Sequence, residues 1–153
     1  MTPYHVTDPA IGPAILHLLH RAFATMDGRI NPPSSLHDLT EQRLFAQGEV
    51  WAIGTPPIAC MILTPHPDHL YLGKLAIDPA HQGSGLARRM VTLAEARARG
   101  LGLARLDLQT RIELVENHQV FAKLGFTETA RSVHQGFAHP TSVTFSKQVA
   151  PHV

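Results

Sequence analysis

The segment between residues 70 and 110 constrains the fold most, because its pattern changes from strand to helix and back to strand. Leu70–Ile77 is a short apolar run typical of a strand. Apolar residues then recur at helical spacing as far as Gly100, and residues 103–110 alternate between apolar and polar side chains. A strand, a helix and a strand in so short a stretch predict a right-handed βαβ crossover with two parallel neighbouring strands.

The flanking sequence predicts further helices and strands. Asp8 is a suitable N-cap for the first helix, and the glycine and prolines at positions 54–57 separate two short apolar runs as a hairpin turn does. We expect a helix from Asp8 to about Gly28, a weaker helix over residues 36–47, a hairpin over 50–63, a short helix over 114–124, and closing strands over 126–133 and 142–148. Because no repeat or linker interrupts this order, we expect one mixed α/β domain over residues 1–153.

Composition excludes several classes of protein. Thirteen Lys and Arg residues against twelve Asp and Glu leave a net charge of +1, which is too balanced for a protein that neutralises many nucleic-acid phosphates. No stretch has the apolar length of a membrane span, and the first residues lack the pattern of a signal peptide. The single cysteine, Cys60, allows no internal disulfide. We therefore expect a cytoplasmic protein that binds neither nucleic acid nor membrane.

Eleven histidines are the one unusual feature of the composition. Three of them lie near two aspartates in the middle of the chain, at positions His66, His69, His81, Asp68 and Asp78. Their spacing is irregular, and the prolines at positions 65 and 67 favour an exposed turn. We therefore expect no metal site.

The segment over residues 82–88 is the most informative for function, since it lies where a strand has ended and a helix begins. Its glycines at positions 83 and 85 let backbone approach a ligand closely. The first amides of a helix have no partners within it, and the helix dipole favours negative charge at that end, so the segment suits a phosphate or pyrophosphate. Arg88 and Arg89 add positive charge. A plain tight turn would also explain the glycines.

Three kinds of phosphate site compete for this segment. A P-loop requires Gly-Lys-Ser/Thr at the end of the glycine run, and the segment has no such triplet. The dinucleotide-binding fingerprint requires a third glycine where this chain has Arg88, whose side chain would obstruct the packing of helix on strand. The third alternative is a site for acyl-coenzyme A.

On the third alternative, the chain resembles the GNAT superfamily of N-acetyltransferases. The family's Gln/Arg-x-x-Gly-x-Gly/Ala signature is matched by Gln82-Gly83-Ser84-Gly85-Leu86-Ala87, and residues 75–79 fit the strand that precedes it. Downstream, the family's short helix and strand entry are matched by Phe121, Lys123, Leu124, Gly125 and Phe126. The family's usual asparagine falls at Leu114, one helical turn before Asn117.

The resemblance implies a fold and a coenzyme site. The fold is a mixed, mostly antiparallel sheet of six or seven strands with about four helices, in which the parallel strands 70–77 and 103–110 splay apart. In the family this splay receives acetyl-coenzyme A as co-substrate, and an amide near Ile77 would polarise the thioester carbonyl. The residues that match coenzyme-binding positions are Leu75, Ala76, Ile77, Gln82, Gly83, Ser84, Gly85, Leu86, Ala87, Arg88, Asn117, Phe121 and Lys123.

The family's catalytic positions are only partly kept. Many members use a tyrosine on the short helix to protonate the leaving thiolate, and this chain has Phe121 there. Tyr71 stands in the region where some members have a glutamate base, and its hydroxyl is a candidate for orienting water or acting as the acid. His118, of a residue type with a pKa of ~6.5, is a second candidate for proton transfer. Ordinary strand and surface roles would also explain both. Cys60 has no evident base partner, which disfavours a thiol nucleophile.

The acceptor is expected to enter from the side of the splay opposite the coenzyme. In the family that pocket is covered by the segment that corresponds to residues 27–35 and by the last two strands, so Asp27, Arg29 and His134 are candidates for acceptor contact. We expect an acetyl group to be transferred by direct attack of a primary amine of a small molecule or peptide, in a monomer or homodimer. The alternative is a non-catalytic acyl-coenzyme A-binding regulatory module, because Phe121 stands at the acid position.

Overall fold

The structure, a computed structural model, describes residues 2–150. Its strands and α-helices are, in chain order, β1 (Tyr4–His5), α1 (Gly12–Phe23), α2 (Glu41–Ala46), β2 (Glu49–Ile53), β3 (Ala59–Pro65), β4 (Leu70–Ile77), α3 (Leu86–Gly100), β5 (Arg105–Arg111), α4 (Val115–Lys123), β6 (Thr127–Ser132) and β7 (Ser142–Gln148). None of the helices within these residues is long and apolar enough to cross a membrane.

Over the described residues the seven strands form one sheet in the order β1-β2-β3-β4-β5-β7-β6. All neighbours are antiparallel except β4 and β5, which are parallel and joined through α3. The predicted mixed, mostly antiparallel sheet with a central parallel pair and four helices is therefore confirmed. The two-residue strand β1 was not predicted, because so short a segment carries no apolar alternation.

Helix bounds differ from the sequence prediction where local capping overrides the apolar pattern. The predicted helix over residues 36–47 is a 3-10 turn, Ser35–Asp38, followed by α2. Leu39 and Thr40 between them are extended, and the Thr40 hydroxyl accepts a hydrogen bond from the Arg43 amide at 3.2 Å. A threonine N-cap therefore starts a new helix there. Likewise α1 ends at Phe23 and continues as a 3-10 turn over Ala24–Met26.

Two apolar layers cover the two faces of the sheet. On one face α3 packs Met90, Ala94 and Ala98, all fully buried, against β3, β4 and β5. On the other face α1 contributes Ile15, Leu18 and Leu19, also fully buried. Since the central strands are covered on both sides, residues 59–63 of β3 are buried without alternation.

A β-bulge in β4 opens the centre of the sheet. Two β4 residues, Lys74 and Leu75, stand opposite Met61 alone on β3, and Lys74 has a left-handed backbone with φ 52°. Strand β4 pairs with β5 only at Leu70 and Tyr71, so the two parallel strands separate beyond that point. The splay expected beside residues 75–77 is therefore present.

An ion pair ties α3 to the sheet. The Arg97 guanidinium donates to both carboxylate oxygens of Glu49 on β2, at 3.0 and 2.6 Å, and the Trp51 indole donates to the same carboxylate at 3.0 Å. The hydrogen bonds from Arg97 are the main cause that lowers the pKa of Glu49 below its usual value. The charged form of Glu49 is therefore stabilised in the folded protein.

Replacing Glu49 by glutamine should lower the free energy of unfolding by about 1 kcal/mol at pH 7, since a charge-assisted bidentate contact is lost. The folded pKa of Glu49 lies below its unfolded value, so this stabilisation is present above the unfolded pKa and is lost as the pH falls through the folded pKa. Urea unfolding of wild type and Glu49→Gln should therefore give a difference that narrows below about pH 4.

The matched control is Glu128→Gln, which removes an exposed carboxylate that pairs with Arg131 on the edge strand β6. Such surface pairs contribute little, so no measurable change is expected. If the difference in free energy of unfolding between wild type and Glu49→Gln stayed constant with pH, this result would contradict an ionic origin of the stabilisation.

Candidate active site

Two cavities, each of about 800 Å³, meet where β4 and β5 separate. The helix cavity lies between residues 75–77 of β4, residues 82–88 at the start of α3, and α4. The strand cavity is lined by residues of β4, β5 and β7 and by the 33–38 segment. Six residues line both cavities and so mark their junction, namely Phe23, Met26, Leu75, Leu114, Asn117 and Phe121.

The helix cavity contains a loop that presents free backbone amides. Gly83 and Gly85 have left-handed backbones with φ 81° and 83°, and Gly85 is the N-cap of α3. A Cβ at either glycine would have no atom within 4 Å, so the backbone conformation, and not crowding, requires glycine. The amides of the first turn of α3 have no acceptor within the helix, and the open space beside them suits an anion.

Positive side chains reinforce this preference for an anion. Arg88 and Lys123 line the helix cavity, and Arg29 lines it as well. Arg29 is paired with Glu116 at 2.6 Å, so its charge is already compensated. All the residues predicted to bind coenzyme line the helix cavity except Ser84. The Ser84 hydroxyl instead donates a hydrogen bond to the His81 carbonyl and closes the loop.

Tyr71 lies in the strand cavity, with its ring over Gly73. A Cβ at Gly73 would stand 3.2 Å from a carbon of the Tyr71 ring, so the missing side chain makes room for the phenol. Burial is the main cause that raises the pKa of Tyr71. The negative charge of Asp107 raises this pKa further, and a hydrogen bond with the Gln109 backbone lowers it. Tyr71 is therefore protonated at neutral pH, which suits a proton donor and not a base.

The structure places two other candidate groups outside both cavities. The ring of His118 hydrogen-bonds with the Arg111 carbonyl at 3.1 Å and packs against Phe145. Cys60 is buried in the α1 layer, and burial raises the pKa of its thiol to about 12. At neutral pH it is therefore a thiol and not a thiolate, so its chemistry does not suit a nucleophile.

Phe121 forms part of the wall between the cavities. Its ring packs against Phe126 and Phe145, with centroids 6.1 and 6.0 Å apart. The neighbouring Asn117 side chain donates to the Thr110 hydroxyl at 3.4 Å and lines both cavities. The junction is thus mainly apolar, with one amide side chain.

The three residues predicted to contact an acceptor lie in different places. His134 lines the strand cavity, and its ring hydrogen-bonds with the Thr141 hydroxyl. Arg29 lines the helix cavity instead. Asp27 lines neither cavity, and its carboxylate contacts His37 at 3.2 Å. The structure therefore brings only His134 to the predicted acceptor side.

Lys74 and Arg111 are the positively charged residues of the strand cavity that sequence reasoning missed. Lys74 interrupts the apolar pattern of β4, and Arg111 is the last residue of β5, where the two parallel strands have separated. A charged residue at such a position was the signal that could have identified them. No group of three His, Cys, Asp or Glu side chains that could hold a metal ion occurs among residues 2–150.

Comparison with solved structures identifies the fold. The ribosomal-protein-S18-alanine N-acetyltransferase from Escherichia coli is 17% identical, with a TM-score of 0.72 over 99% of this chain and 96% of that chain. An aminoglycoside 6'-N-acetyltransferase complexed with coenzyme A is 12% identical, with a TM-score of 0.75 over 100% and 99%. An acetyltransferase from Streptococcus agalactiae is 14% identical, with a TM-score of 0.75 over 95% and 96%. At these identities the likeness shows a common fold.

No curated protein matches the chain significantly by sequence. The sequence model of the acetyltransferase (GNAT) family, however, matches residues 13–126. That range includes α1, the splayed strands, the glycine loop and α4. Since the match covers most of the chain and the sheet has the fold of the acetyltransferase structures, this protein belongs to the acetyltransferase (GNAT) family.

Proposed function

We propose that this protein transfers the acetyl group of acetyl-coenzyme A to a primary amine of a small molecule or peptide, in the cytoplasm. The observation that carries the proposal is the junction of the two cavities at the splay. One cavity suits a polyanionic coenzyme and the other suits an acceptor, so a thioester and an amine would meet at the junction. Direct transfer requires this kind of proximity.

The helix cavity supplies the groups that acetyl-coenzyme A requires. The amides at the start of α3 would hold the pyrophosphate, with Arg88 and Lys123 beside it. Residues 75–77 lie beyond the last pairing of β4 with β5, so the β5 side of this segment is available to the pantetheine amides. The residues present therefore fit this co-substrate.

We infer that a backbone group in the helix cavity and a side chain in the strand cavity divide the chemical work. An amide near Ile77 would donate to the thioester oxygen as negative charge develops on it. Tyr71 would donate its phenolic proton to the departing thiolate, since its hydroxyl is protonated at neutral pH. Water would accept the proton of the amine and would return a proton to the Tyr71 phenolate once the thiol has formed. The position of His118 outside both cavities gives this residue no support as a proton carrier.

A non-catalytic acyl-coenzyme A-binding module is the second candidate function. Phe121 favours it, because a phenyl ring at the family's usual acid position cannot donate a proton. The two candidates differ in turnover. Release of free thiol from acetyl-coenzyme A in the presence of a panel of amines supports the enzyme, and binding of coenzyme without release by any amine supports the module.

Gly85→Asp tests the coenzyme site. The added carboxylate would stand where backbone meets phosphate, so we expect coenzyme A affinity to fall at least about tenfold, or about 1.4 kcal/mol. Isothermal titration calorimetry measures the effect. The matched control is Gly102→Asp at the other end of α3, where the glycine has a similar φ of 74° and no atom near an added Cβ. Equal affinities for the two variants would reject the site.

Tyr71→Phe and Phe121→Tyr test proton transfer to the thiolate. If Tyr71 is the acid, Tyr71→Phe should lower kcat about ten- to a hundredfold, in the range of a positioned proton donor. Phe121→Tyr restores the family's usual acid beside the junction and should preserve or raise kcat. The measurement is kcat against pH with a verified acceptor. An unchanged profile for Tyr71→Phe would remove this residue from the mechanism.

A further inference from the structure

We propose that the amine acceptor also carries a carboxylate, which Lys74 and Arg111 bind in the strand cavity. The inference rests on the proposed function, because it takes the strand cavity as the acceptor site. It narrows the acceptors to amino-acid-like amines and disfavours amines that carry several positive charges.

Lys74 and Arg111 are two positive charges that face the same cavity. Both side chains line it, and both are partly buried. Among residues 2–150 neither has a carboxylate within 4.0 Å of its nitrogens, whereas Arg21, Arg97, Arg105 and Lys147 each have one. Two cations left without an acidic partner in one cavity suit an anionic ligand.

The two charges also act on each other. Burial is the main cause that lowers the pKa of Lys74, and the Arg111 charge lowers it further. Burial likewise lowers the pKa of Arg111. Like charges close together in a poorly solvated cavity repel, and a bound carboxylate would offset this repulsion.

Both side chains are held in place by neutral groups, which orient them without cancelling their charge. The Arg111 guanidinium donates to the backbone carbonyls of Pro32 and Pro33. The Lys74 ammonium donates to the Ser35 hydroxyl at 3.3 Å. Nitrogen-bound hydrogens remain on both groups, because an arginine has five and a lysine three. The segment over residues 32–35 therefore positions a pair of charged donors before any ligand binds.

Nearby acids do not neutralise the pair. The charge of Glu113 raises the pKa of Arg111, although the two side chains form no ion pair within 4.0 Å. The Oε2 atom of Glu113 accepts a hydrogen bond from the Asn31 amide. Asp107, beyond Tyr71, is bound by Arg105 and by the Ser146 hydroxyl. Asp38 is exposed and lines the same cavity, and His37 and His134 add no negative charge. Of the described residues that line the cavity, Lys74 and Arg111 therefore carry positive charge, and the exposed Asp38 is the one carboxylate.

A carboxylate matches this arrangement better than a phosphate. Its two oxygens can accept from one lysine and from one edge of an arginine fork. A phosphate presents a further charged oxygen, for which the described lining residues supply no third lysine or arginine. Acceptors with several ammonium groups would add repulsion to the two existing charges.

The test compares amino acids with their amides as acceptors, for example L-phenylalanine with L-phenylalaninamide. The amide has the larger fraction of neutral amine at pH 7, so a preference for the acid cannot arise from amine protonation. We expect wild type to prefer the acid at least about tenfold, both in kcat/KM by thiol release and in Kd by calorimetry with coenzyme A bound.

Variants of Lys74 and Arg111 test whether these two side chains cause the preference for amino acids over their amides. Lys74→Gln and Arg111→Gln should each reduce the ratio of acid to amide, and Arg111→Lys, which keeps the charge, should retain part of it. The control Arg131→Gln removes the same charge from the exposed strand β6 and should leave the ratio unchanged. Coenzyme A affinity serves as the check of folding for every variant.

The outcomes separate the inference from the proposed function. Turnover with equal use of acids and amides overturns the inference and leaves the acetyltransferase activity in place. A ratio that Lys74→Gln does not reduce also overturns it. Preferential binding of acids without turnover of any amine supports the carboxylate site and refutes the proposed enzyme.

Discussion

The early end of the β4–β5 pairing is the constraint on which the site depends. Two parallel strands in the middle of a covered sheet would ordinarily pair along their length, since unpaired backbone there is costly. Here the pairing stops after Tyr71, and the bulge at Lys74 and Leu75 directs β4 away from β5. Because α1 and α3 cover the two faces, the gap becomes a slot inside the protein. Both cavities reach that slot, and residues of β4 and α4 line both of them.

The two cavities use different kinds of group. The helix cavity depends mainly on backbone: the left-handed glycines, the first amides of α3 and the β5-facing edge of residues 75–77. The strand cavity depends on side chains, among them Tyr71, Lys74 and Arg111. Backbone groups are the same in every sequence that keeps the fold, whereas side chains change with each substitution. The architecture therefore fixes the helix cavity more firmly than the strand cavity.

This division explains what the sequence could predict. The βαβ unit and the glycine loop are local, so periodicity and glycine spacing predicted them. The residues matched to coenzyme-binding positions came from the family resemblance, and all but Ser84 line the helix cavity. The strand cavity is assembled by tertiary contacts between segments that are distant in sequence. Lys74 and Arg111 are distant in sequence and line one cavity because β4 and β5 are neighbouring parallel strands. His37 lines the strand cavity through a turn that was predicted as part of a continuous helix.

The shared wall of the two cavities has a kinetic consequence. Phe23, Leu114 and Phe121 line both cavities, so on the proposed function the coenzyme and the acceptor would each have a cavity of its own. On that function both substrates would bind together in a ternary complex, and neither product would have to leave before the second substrate binds. Double-reciprocal plots of initial rate against acetyl-coenzyme A concentration, drawn at several fixed acceptor concentrations, would then intersect. Each product would compete mainly with the substrate that binds in the same cavity.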